Sequence, residues 1–257
     1  MSKKPFILIT NDDGIYAEGI YHLREAMKKV GDVVVVAPDS EKSAVGHAIT
    51  ISDPLRVIEV ERNGEFFGYG VNGTPADCVK LAVKAILNKK PDLVVSGINR
   101  GPNTGINAIY SGTVSAATEA CFMGIPSFAI SMTSYEKVDL SFSKKIAEKF
   151  ARLVLDNGLP PQTTLNINIP PGDESTIKGI LITRQGQGVF EEMFDKRIDP
   201  NNRVYYWLTG KKIILESEND VDDIAVRNDF VAVTPLQFDL TNYDFLKKMK
   251  NWDTSLT

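Results

Sequence analysis

The sequence contains few of the residues that build disulfide frameworks or thiolate metal sites. Cys78 and Cys121 are its only cysteines, and both lie in segments with helical patterns, where a buried free thiol is expected. Histidine is equally scarce, since it occurs only as His22 and His47. A serine–histidine mechanism would have to use one of these two. His22 lies beside the apolar face of the first predicted helix, which favours a structural role.

Excess positive charge and long apolar runs are also missing. The 29 lysines and arginines are outnumbered by 33 aspartates and glutamates, and the net charge of −4 disfavours tight binding to nucleic acid. A small anionic substrate would need local positive charge. The start of the chain, MSKKPFILITNDDG, has an apolar stretch too short for a signal peptide or a membrane span. We therefore expect a cytoplasmic protein with no membrane partner.

Three common catalytic motifs are absent. No G-x-G-x-x-G follows the first apolar run, and neither G-x-x-x-x-G-K-[ST] nor G-x-S-x-G occurs. These absences disfavour a dinucleotide oxidoreductase, a P-loop enzyme and a hydrolase with a nucleophile elbow.

The residues that are present predict an α/β fold. The chain has 257 residues, 43% of them hydrophobic and 24% charged, which is ordinary for a globular protein. The apolar run 6–10, the helical pattern 20–30 and the apolar run 33–37 alternate as parallel strands and crossover helices do. No linker or repeat interrupts the pattern. We expect a single domain over residues 1–257.

Two hairpins are predicted outside this alternation. Residues 55–60 and 66–71 flank an Asn63-Gly64 turn and predict a hairpin that projects from the sheet edge. Beyond residue 160 the sequence has strand patterns without convincing crossover helices. Within that part, residues 189–208 carry several aromatic side chains around a polar IDPNN turn. This extended β arm is too aromatic to lie in water alone, which predicts packing on another subunit.

Polar residues that are poor at forming helices or strands gather in four loops, at 11–14, 40–47, 96–105 and 110–113. Three of these loops follow apolar strands directly, and the carboxyl ends of parallel strands are where such sheets bind ligands.

Adjacent carboxylates at Asp12 and Asp13 suggest a bound cation. The remaining candidate ligands are oxygens such as the Ser43 hydroxyl and the Asn99 amide carbonyl, and such a set suits Mg2+ or Mn2+. The alternative is a capping or turn role for Asp-Asp-Gly after a strand.

Two further loops have sequence patterns typical of anion binding, and each pattern also has a second interpretation. The 96–105 loop, SGINRGPNTG, has three glycines and two asparagines, which allow close approach to an anion or form a plain turn. Residues 110–113 open a helix whose free N–H groups and hydroxyls would hold a phosphate, although ordinary N-capping by Ser111 or Thr113 explains them equally. His47 either supports the site or packs its own loop.

Five segments together resemble the SurE (survival protein E) family of nucleotide phosphatases: ILITNDDG, the Ser43 loop ending in GHAIT, VNGTPADCV, SGINRGPNTG and YSGTVSAATEA. They occur in the family's order, and VAVTPL resembles its C-terminal strand. The resemblance implies a Rossmann-like, mostly parallel sheet flanked by helices. It also implies hydrolysis of nucleoside 5′- and 3′-monophosphates, short-chain exopolyphosphatase activity in some members, and a homodimer or homotetramer formed by exchanged C-terminal arms.

The resemblance also implies a ligand set for one divalent cation per subunit, Mg2+ or Mn2+, which is Asp12, Asp13, Ser43 and Asn99. One departure is Ala44, where the familiar form of the motif has glycine. If that position needs a positive φ, alanine would be strained there.

From these residues we draw a mechanistic hypothesis. A water activated by the cation attacks the phosphoryl group, with Asp12 orienting or deprotonating it and Asn99 beside it as the second catalytic residue. The phosphate would be held by Asn103, Ser111, Gly112 and Thr113, with Asn11 and His47 in supporting positions. Direct attack by Asp12 stays an alternative.

Two other functions also stay open. One is a regulatory protein that binds nucleotides without hydrolysing them, and the other is a structural α/β subunit. The adjacent carboxylates, which repel a phosphate unless a cation is present, favour catalysis over binding.

Overall fold

The computed structural model describes residues 4–255. In that range strands β1 to β11 are, in order, Phe6–Thr10, Asp32–Pro38, Val57–Arg62, Glu65–Val71, Leu93–Arg100, Ser127–Met132, Thr163–Ile169, Gly179–Ile182, Val189–Ile198, Val204–Ile213 and Phe230–Gln237. Helices α1 to α7 are Glu18–Met27, Pro75–Leu81, Asn107–Tyr110, Gly112–Phe122, Ser141–Asn157, Asp222–Arg227 and Tyr243–Met249, and a π-helical turn at Ala82–Ile86 follows α2. None of the helices in 4–255 combines the length and apolarity that a membrane crossing requires.

The main sheet has nine strands across the described residues, in the order β3-β4-β2-β1-β5-β6-β7-β11-β8. The pairs from β4 through β7 are all parallel, whereas β3 with β4 and β7 with β11 are antiparallel. Helices α1 and α5 cover one face, and α2 and α4 cover the other. The predicted Rossmann-like α/β class is confirmed.

Each central strand contributes to two hydrophobic cores. In β1, Ile7 and Ile9 pack in the core under α1 and α5, while Leu8 packs in the core under α2 and α4. Successive strand residues point to opposite faces, so a strand covered on both sides is apolar at every position. Each such side chain contributes about 1.5–3 kcal/mol on burial. The predicted buried free thiols, Cys78 and Cys121, lie on α2 and α4 in this arrangement.

The first hairpin does not project from the sheet as expected. Its second strand, β4, pairs in parallel with β2, so the hairpin continues the sheet and forms its edge. Tyr69 lies opposite Val36 in that pairing. The prediction was wrong because an Asn-Gly turn specifies the hairpin but says nothing about what the second strand pairs with.

The second hairpin, β9 with β10, forms a separate antiparallel pair and is the predicted extended arm. It is longer than predicted, because the pairing runs to Val189 opposite Ile213. Two short helices, α6 and α7, also lie in the part of the chain where no convincing helix was expected. They have six and seven residues, too few for an amphipathic pattern to stand out.

Candidate active site

The candidate residues lie at the carboxyl ends of the central parallel strands. Strands β1 and β5 are parallel neighbours, so the residues at their ends emerge at one edge of the sheet. Asp12 follows β1, and Asn99 lies near the end of β5. A cleft of about 1020 Å3 at this edge is lined by Asp12, Ser43, Asn99 and Ser111, among others. The structure therefore brings three of the four predicted cation ligands to one cleft.

Asp13, the fourth predicted ligand, faces a neighbouring cleft of about 400 Å3. The two clefts share Asn99 and Arg100. Asp13 Oδ2 accepts a hydrogen bond from the backbone N–H of Arg100 at 3.2 Å. The adjacent carboxylates thus belong to different clefts that meet at Asn99 and Arg100.

The first turn of α4 holds the Asp12 carboxylate in place. Asp12 is buried, and its Oδ1 accepts a hydrogen bond from the Thr113 hydroxyl. Gly112, the first residue of α4, lies directly against the Asp12 side chain. In this structure Thr113 therefore orients Asp12, and the phosphate role predicted for its hydroxyl would require a change of partner.

Burial raises the pKa of both carboxyl groups. For Asp12, loss of hydration raises the pKa, and the hydrogen bond from Thr113 only partly opposes it. For Asp13, burial and then the negative charge of Asp12 raise the pKa to about 6. Two neighbouring carboxylates, one buried and one partly buried, favour a positive charge between or beside them, so this site suits a cation.

Two neutral oxygens are oriented so that they would complete a cation site. The Asn99 side chain donates from Nδ2 to the Gly101 carbonyl at 2.9 Å, and no partner within residues 4–255 donates to its Oδ1. The Ser43 hydroxyl donates to Glu41 Oε1 at 2.6 Å, which leaves the lone pairs of its oxygen free to accept. Among the described residues, no three or more His, Cys, Asp and Glu side chains are grouped to hold a metal. A cation here would therefore depend on these neutral oxygens.

The loop that carries Ser43 is anchored to the two helices α2 and α4. His47 Nε2 lies 2.9 Å from Glu119 Oε2, and Lys80 bonds the other oxygen of the same buried carboxylate. The His47 ring stacks on Phe122 with centroids 5.5 Å apart. His47 thus ties its loop to α4, as the packing interpretation expected.

A second anchor fixes the far end of the same loop. Asp77 accepts hydrogen bonds from the Thr50 backbone N–H at 3.0 Å and from the Thr50 hydroxyl at 2.6 Å. Thr74 and Asp77 also form a capping box that starts α2. Burial alone would raise the pKa of Asp77, but the hydrogen bonds from Thr50 and Thr74 outweigh it, and the pKa lies below its ordinary value.

Ala44 adopts the left-handed conformation that was anticipated for a glycine position. Its φ is 54°, and it is directly followed in the loop by Val45 and by Gly46, whose φ is 56°. An L-residue in this region is strained by about 1–2 kcal/mol. The strain lies next to the Ser43 ligand position.

The predicted phosphate-binding side chains already have partners in this structure. Ser111 caps α4 by accepting from the Val114 N–H at 3.1 Å while still lining the cleft. Asn103 is buried, donating from Nδ2 to the Ser131 hydroxyl and from its backbone N–H to Asn168 Oδ1, each at 2.8 Å. The capping interpretation is therefore correct for Ser111. Phosphate binding by the group Asn103, Ser111, Gly112 and Thr113 stays a prediction.

Asn11 supports the turn that presents Asp12. Its Nδ2 donates to the Gly14 carbonyl at 2.9 Å, and its Oδ1 is buried without a partner among residues 4–255. Gly14 has φ 95°, and a Cβ there would lie 3.2 Å from the Ser40 carbonyl carbon. The turn after β1 therefore requires glycine and packs against the start of the Ser43 loop.

Sequence reasoning did not identify several residues that line the cleft. Arg100 lines both clefts and is the only cationic side chain on the wall of the larger one, within the described part of the chain. Its guanidinium forms no ion pair with the residues in 4–255. Glu192 and Leu208 of the arm also line the larger cleft. Arg100 was visible in SGINRGPNTG as the charge beside Asn99, whereas the arm residues reach the cleft only through the topology.

Comparison with known proteins gives a consistent result. The model of the family described as "Survival protein SurE" matches residues 7–192. A protein of Syntrophobacter fumaroxidans named 5′-nucleotidase SurE is 49% identical over 247 residues, covering 96% of this chain and 99% of its own length. A protein of the same name from Carboxydothermus hydrogenoformans is 50% identical over 256 residues, covering 97% of each chain.

A solved structure shares the fold. The crystal structure of the SurE protein from Aquifex aeolicus superposes with a TM-score of 0.84 at 45% sequence identity. The match covers 96% of this chain and 98% of that one.

Proposed function

The chain belongs to the survival protein SurE family and is a phosphoric monoester hydrolase, and we propose that it removes phosphate from nucleoside 5′- and 3′-monophosphates with one divalent cation per subunit. The observation that carries this proposal is the meeting of Asp12, Ser43 and Asn99 in one cleft at the carboxyl edge of the parallel sheet. The same site would take the terminal phosphate of a short polyphosphate.

The donor set fits a hard cation. Asp12 and Asp13 supply negative charge that burial leaves uncompensated, and the free Oδ1 of Asn99 and the hydroxyl of Ser43 supply neutral oxygen ligands. Oxygen ligands of this kind suit Mg2+ or Mn2+. When bound, such an ion neutralises phosphate charge and lowers the pKa of a water.

The protein's own residues would then divide the remaining work. Asp12, held by Thr113 in the first turn of α4, orients or deprotonates the attacking water. Arg100 supplies the local positive charge that an acidic protein needs to bind an anion, and a guanidinium binds phosphate oxygens in pairs. Ser111 and the backbone N–H groups at the start of α4 face the remaining phosphoryl oxygens.

The arm is the proposed assembly element. Phe194, Tyr206 and Trp207 expose 65%, 58% and 57% of their surface, which is unusual for aromatic side chains close together. We expect a homodimer or homotetramer in which these faces are covered. Removal of residues 189–208 should give a monomer or an aggregate in light scattering, and an unchanged oligomer would contradict this expectation. A cytoplasmic location stays a prediction from the sequence.

The proposed function is tested by phosphate release. Nucleoside 5′-monophosphates, nucleoside 3′-monophosphates and tripolyphosphate would be supplied with Mg2+, with Mn2+ and with a chelator. Release from monophosphates that the chelator abolishes supports the proposal. No release with either cation, together with tight nucleotide binding, would identify a nucleotide-binding protein instead.

A further inference from the structure

The base of the arm forms one wall of the cleft that holds the candidate catalytic residues. Phe190 and Leu208 of the arm line the same cleft as Asp12 and Asn99, which come from the strand ends. A phosphate bound near Asp12 would leave the rest of its substrate pointing toward this wall. An apolar and aromatic surface suits the nucleoside part of a nucleotide.

A largely buried ion pair joins this wall to the loop at residues 101–106. Lys212, near the end of β10, lies 2.5 Å from Asp223 Oδ1 and also donates to the Thr104 carbonyl and hydroxyl, at 3.0 and 3.1 Å. The Thr104 hydroxyl bonds the same carboxylate oxygen. The Lys212 and Asp223 side chains are only 19% and 6% exposed. Their interaction is therefore weakly screened by solvent.

The neighbouring carboxylate strengthens the same connection. Asp222 accepts from the Gly105 N–H at 2.8 Å and from the Gly186 N–H at 2.9 Å. Gly105 belongs to the loop at 101–106, and Gly186 belongs to the segment that leads into the arm. A Cβ at these two glycines would lie 2.8 and 2.9 Å from Asp223 Oδ2, so the carboxylates leave no room between the two segments.

The connected loop also carries a predicted phosphate-binding residue. Asn103 precedes Thr104, and its carbonyl accepts from Asn166 Nδ2 at 2.7 Å. Asn103 is thus fixed to β7 by hydrogen bonds that do not involve Lys212, whereas the next residue, Thr104, is held to the arm through Lys212. Lys212 itself does not line the cleft.

We propose that Lys212 is a positioning residue for substrate specificity: by holding the arm wall against the loop at 101–106, it sets the affinity for the nucleoside part of the substrate. The inference rests on the proposed nucleotidase function. In this account the arm wall binds the nucleoside part of the substrate, and the strand ends bind its phosphate.

The test compares Lys212→Met with Lys211→Met. Lys211 is the adjacent, exposed residue of β10, and it forms no ion pair within residues 4–255. For Lys212→Met, KM for a nucleoside 5′-monophosphate should rise roughly two- to thirtyfold, the range that mutations along a coupling network produce. The inhibition constant of inorganic phosphate and kcat should stay unchanged, and Lys212→Arg should restore much of the affinity. Lys211→Met should behave as the wild type.

A second variant covers the case in which Lys212→Met does not fold. Thr104→Val removes only the hydroxyl that bridges Lys212 and Asp223, and it should raise KM selectively but less. An unchanged KM in the folded variants, or an equal change in KM and in phosphate inhibition, would overturn this inference alone. A wild-type protein without turnover would overturn the proposed function, and this inference with it.

Discussion

Gly112 and Asp12 are in direct contact, and their fit leaves no room for a side chain at residue 112. A Cβ there would lie 2.8 Å from Asp12 Cβ and 3.0 Å from Asp12 Oδ2. The other carboxylate oxygen of Asp12 accepts from the Thr113 hydroxyl. The start of α4 therefore determines where the Asp12 carboxylate lies.

We expect Gly112→Ala to reduce kcat/KM by on the order of a hundredfold, because a displacement of about 1 Å in a reacting group has an effect of that size. The added methyl group must push Asp12 or α4 away, while the helix itself tolerates alanine well. Thr118→Ala on the same helix is the control, since its hydroxyl donates only to the Val114 carbonyl. Wild-type kcat/KM in Gly112→Ala would show that the position of Asp12 is not critical.

The left-handed Ala44 predicts a stabilising substitution. Ala44→Gly should raise the free energy of unfolding by about 1 kcal/mol, because glycine adopts a φ of 54° without strain. Urea unfolding at a constant m-value measures this change. Ala48→Gly, at an exposed position of the same loop, should lower the free energy of unfolding by about 0.4–1 kcal/mol. A loss of stability in both variants would contradict the interpretation.

The Glu119 carboxylate predicts a pH-dependent contribution to stability. Burial alone would raise its pKa, but the hydrogen bonds from His47 and Lys80 outweigh burial, and the pKa lies below the ordinary value of 4.5. The contribution is therefore complete above pH 4.5 and is lost as the pH falls through the lower pKa of the folded state.

Glu119→Gln should accordingly lower the free energy of unfolding by about 1.5–3 kcal/mol at pH 7. The difference from the wild type should shrink when melting is measured below pH 4.5. Glu174→Gln removes an exposed ion pair with Lys145 and should change little at either pH. A difference between wild type and Glu119→Gln that grows on acidification would reverse the assigned sign.

Local sequence patterns were sufficient for the strands and helices of the N-terminal half and for part of the site. The apolar run before Asp12 and the helical pattern at 20–30 were predicted because hydrophobic periodicity depends on neighbouring residues. The positive φ at Ala44 was anticipated because the motif of the SurE family has glycine at this position. The convergence of loops followed from the general rule for parallel sheets.

The rest depends on contacts between distant segments. The pairing of β4 with β2 and the arm wall of the cleft are set by strand order, which local patterns do not specify. Local patterns assign no role to Asp222 and Asp223, because the groups they bind come from residues 104–105, 186 and 212. The orientation of Asp12 and Asp13 into different clefts depends equally on where Arg100 lies.

Arg100 predicts a change in substrate affinity. Arg100→Gln should raise KM for a nucleoside monophosphate roughly ten- to hundredfold, because hydrogen bonds to charged groups contribute about 1.5–3 kcal/mol. Lys137→Gln is the matched control, since Lys137 is exposed and lines only the smaller cleft. Steady-state kinetics at several salt concentrations should show that the KM of the wild type depends on salt. This salt dependence should be smaller in Arg100→Gln. Equal effects of the two substitutions would show that Arg100 acts through the overall charge of this surface and not through a specific contact with the phosphate.

Phosphate release by Asp12→Asn decides whether this cleft performs hydrolysis with a bound cation. The wild type and the variant would each be given a nucleoside 5′-monophosphate with Mn2+ and again with a chelator, after circular dichroism has shown that both are folded. We predict release by the wild type with Mn2+ only, and neither release nor Mn2+ affinity in Asp12→Asn. Turnover by the variant at the wild-type rate, or turnover by the wild type in the chelator, would contradict the assignment of Asp12 and the cation to this site.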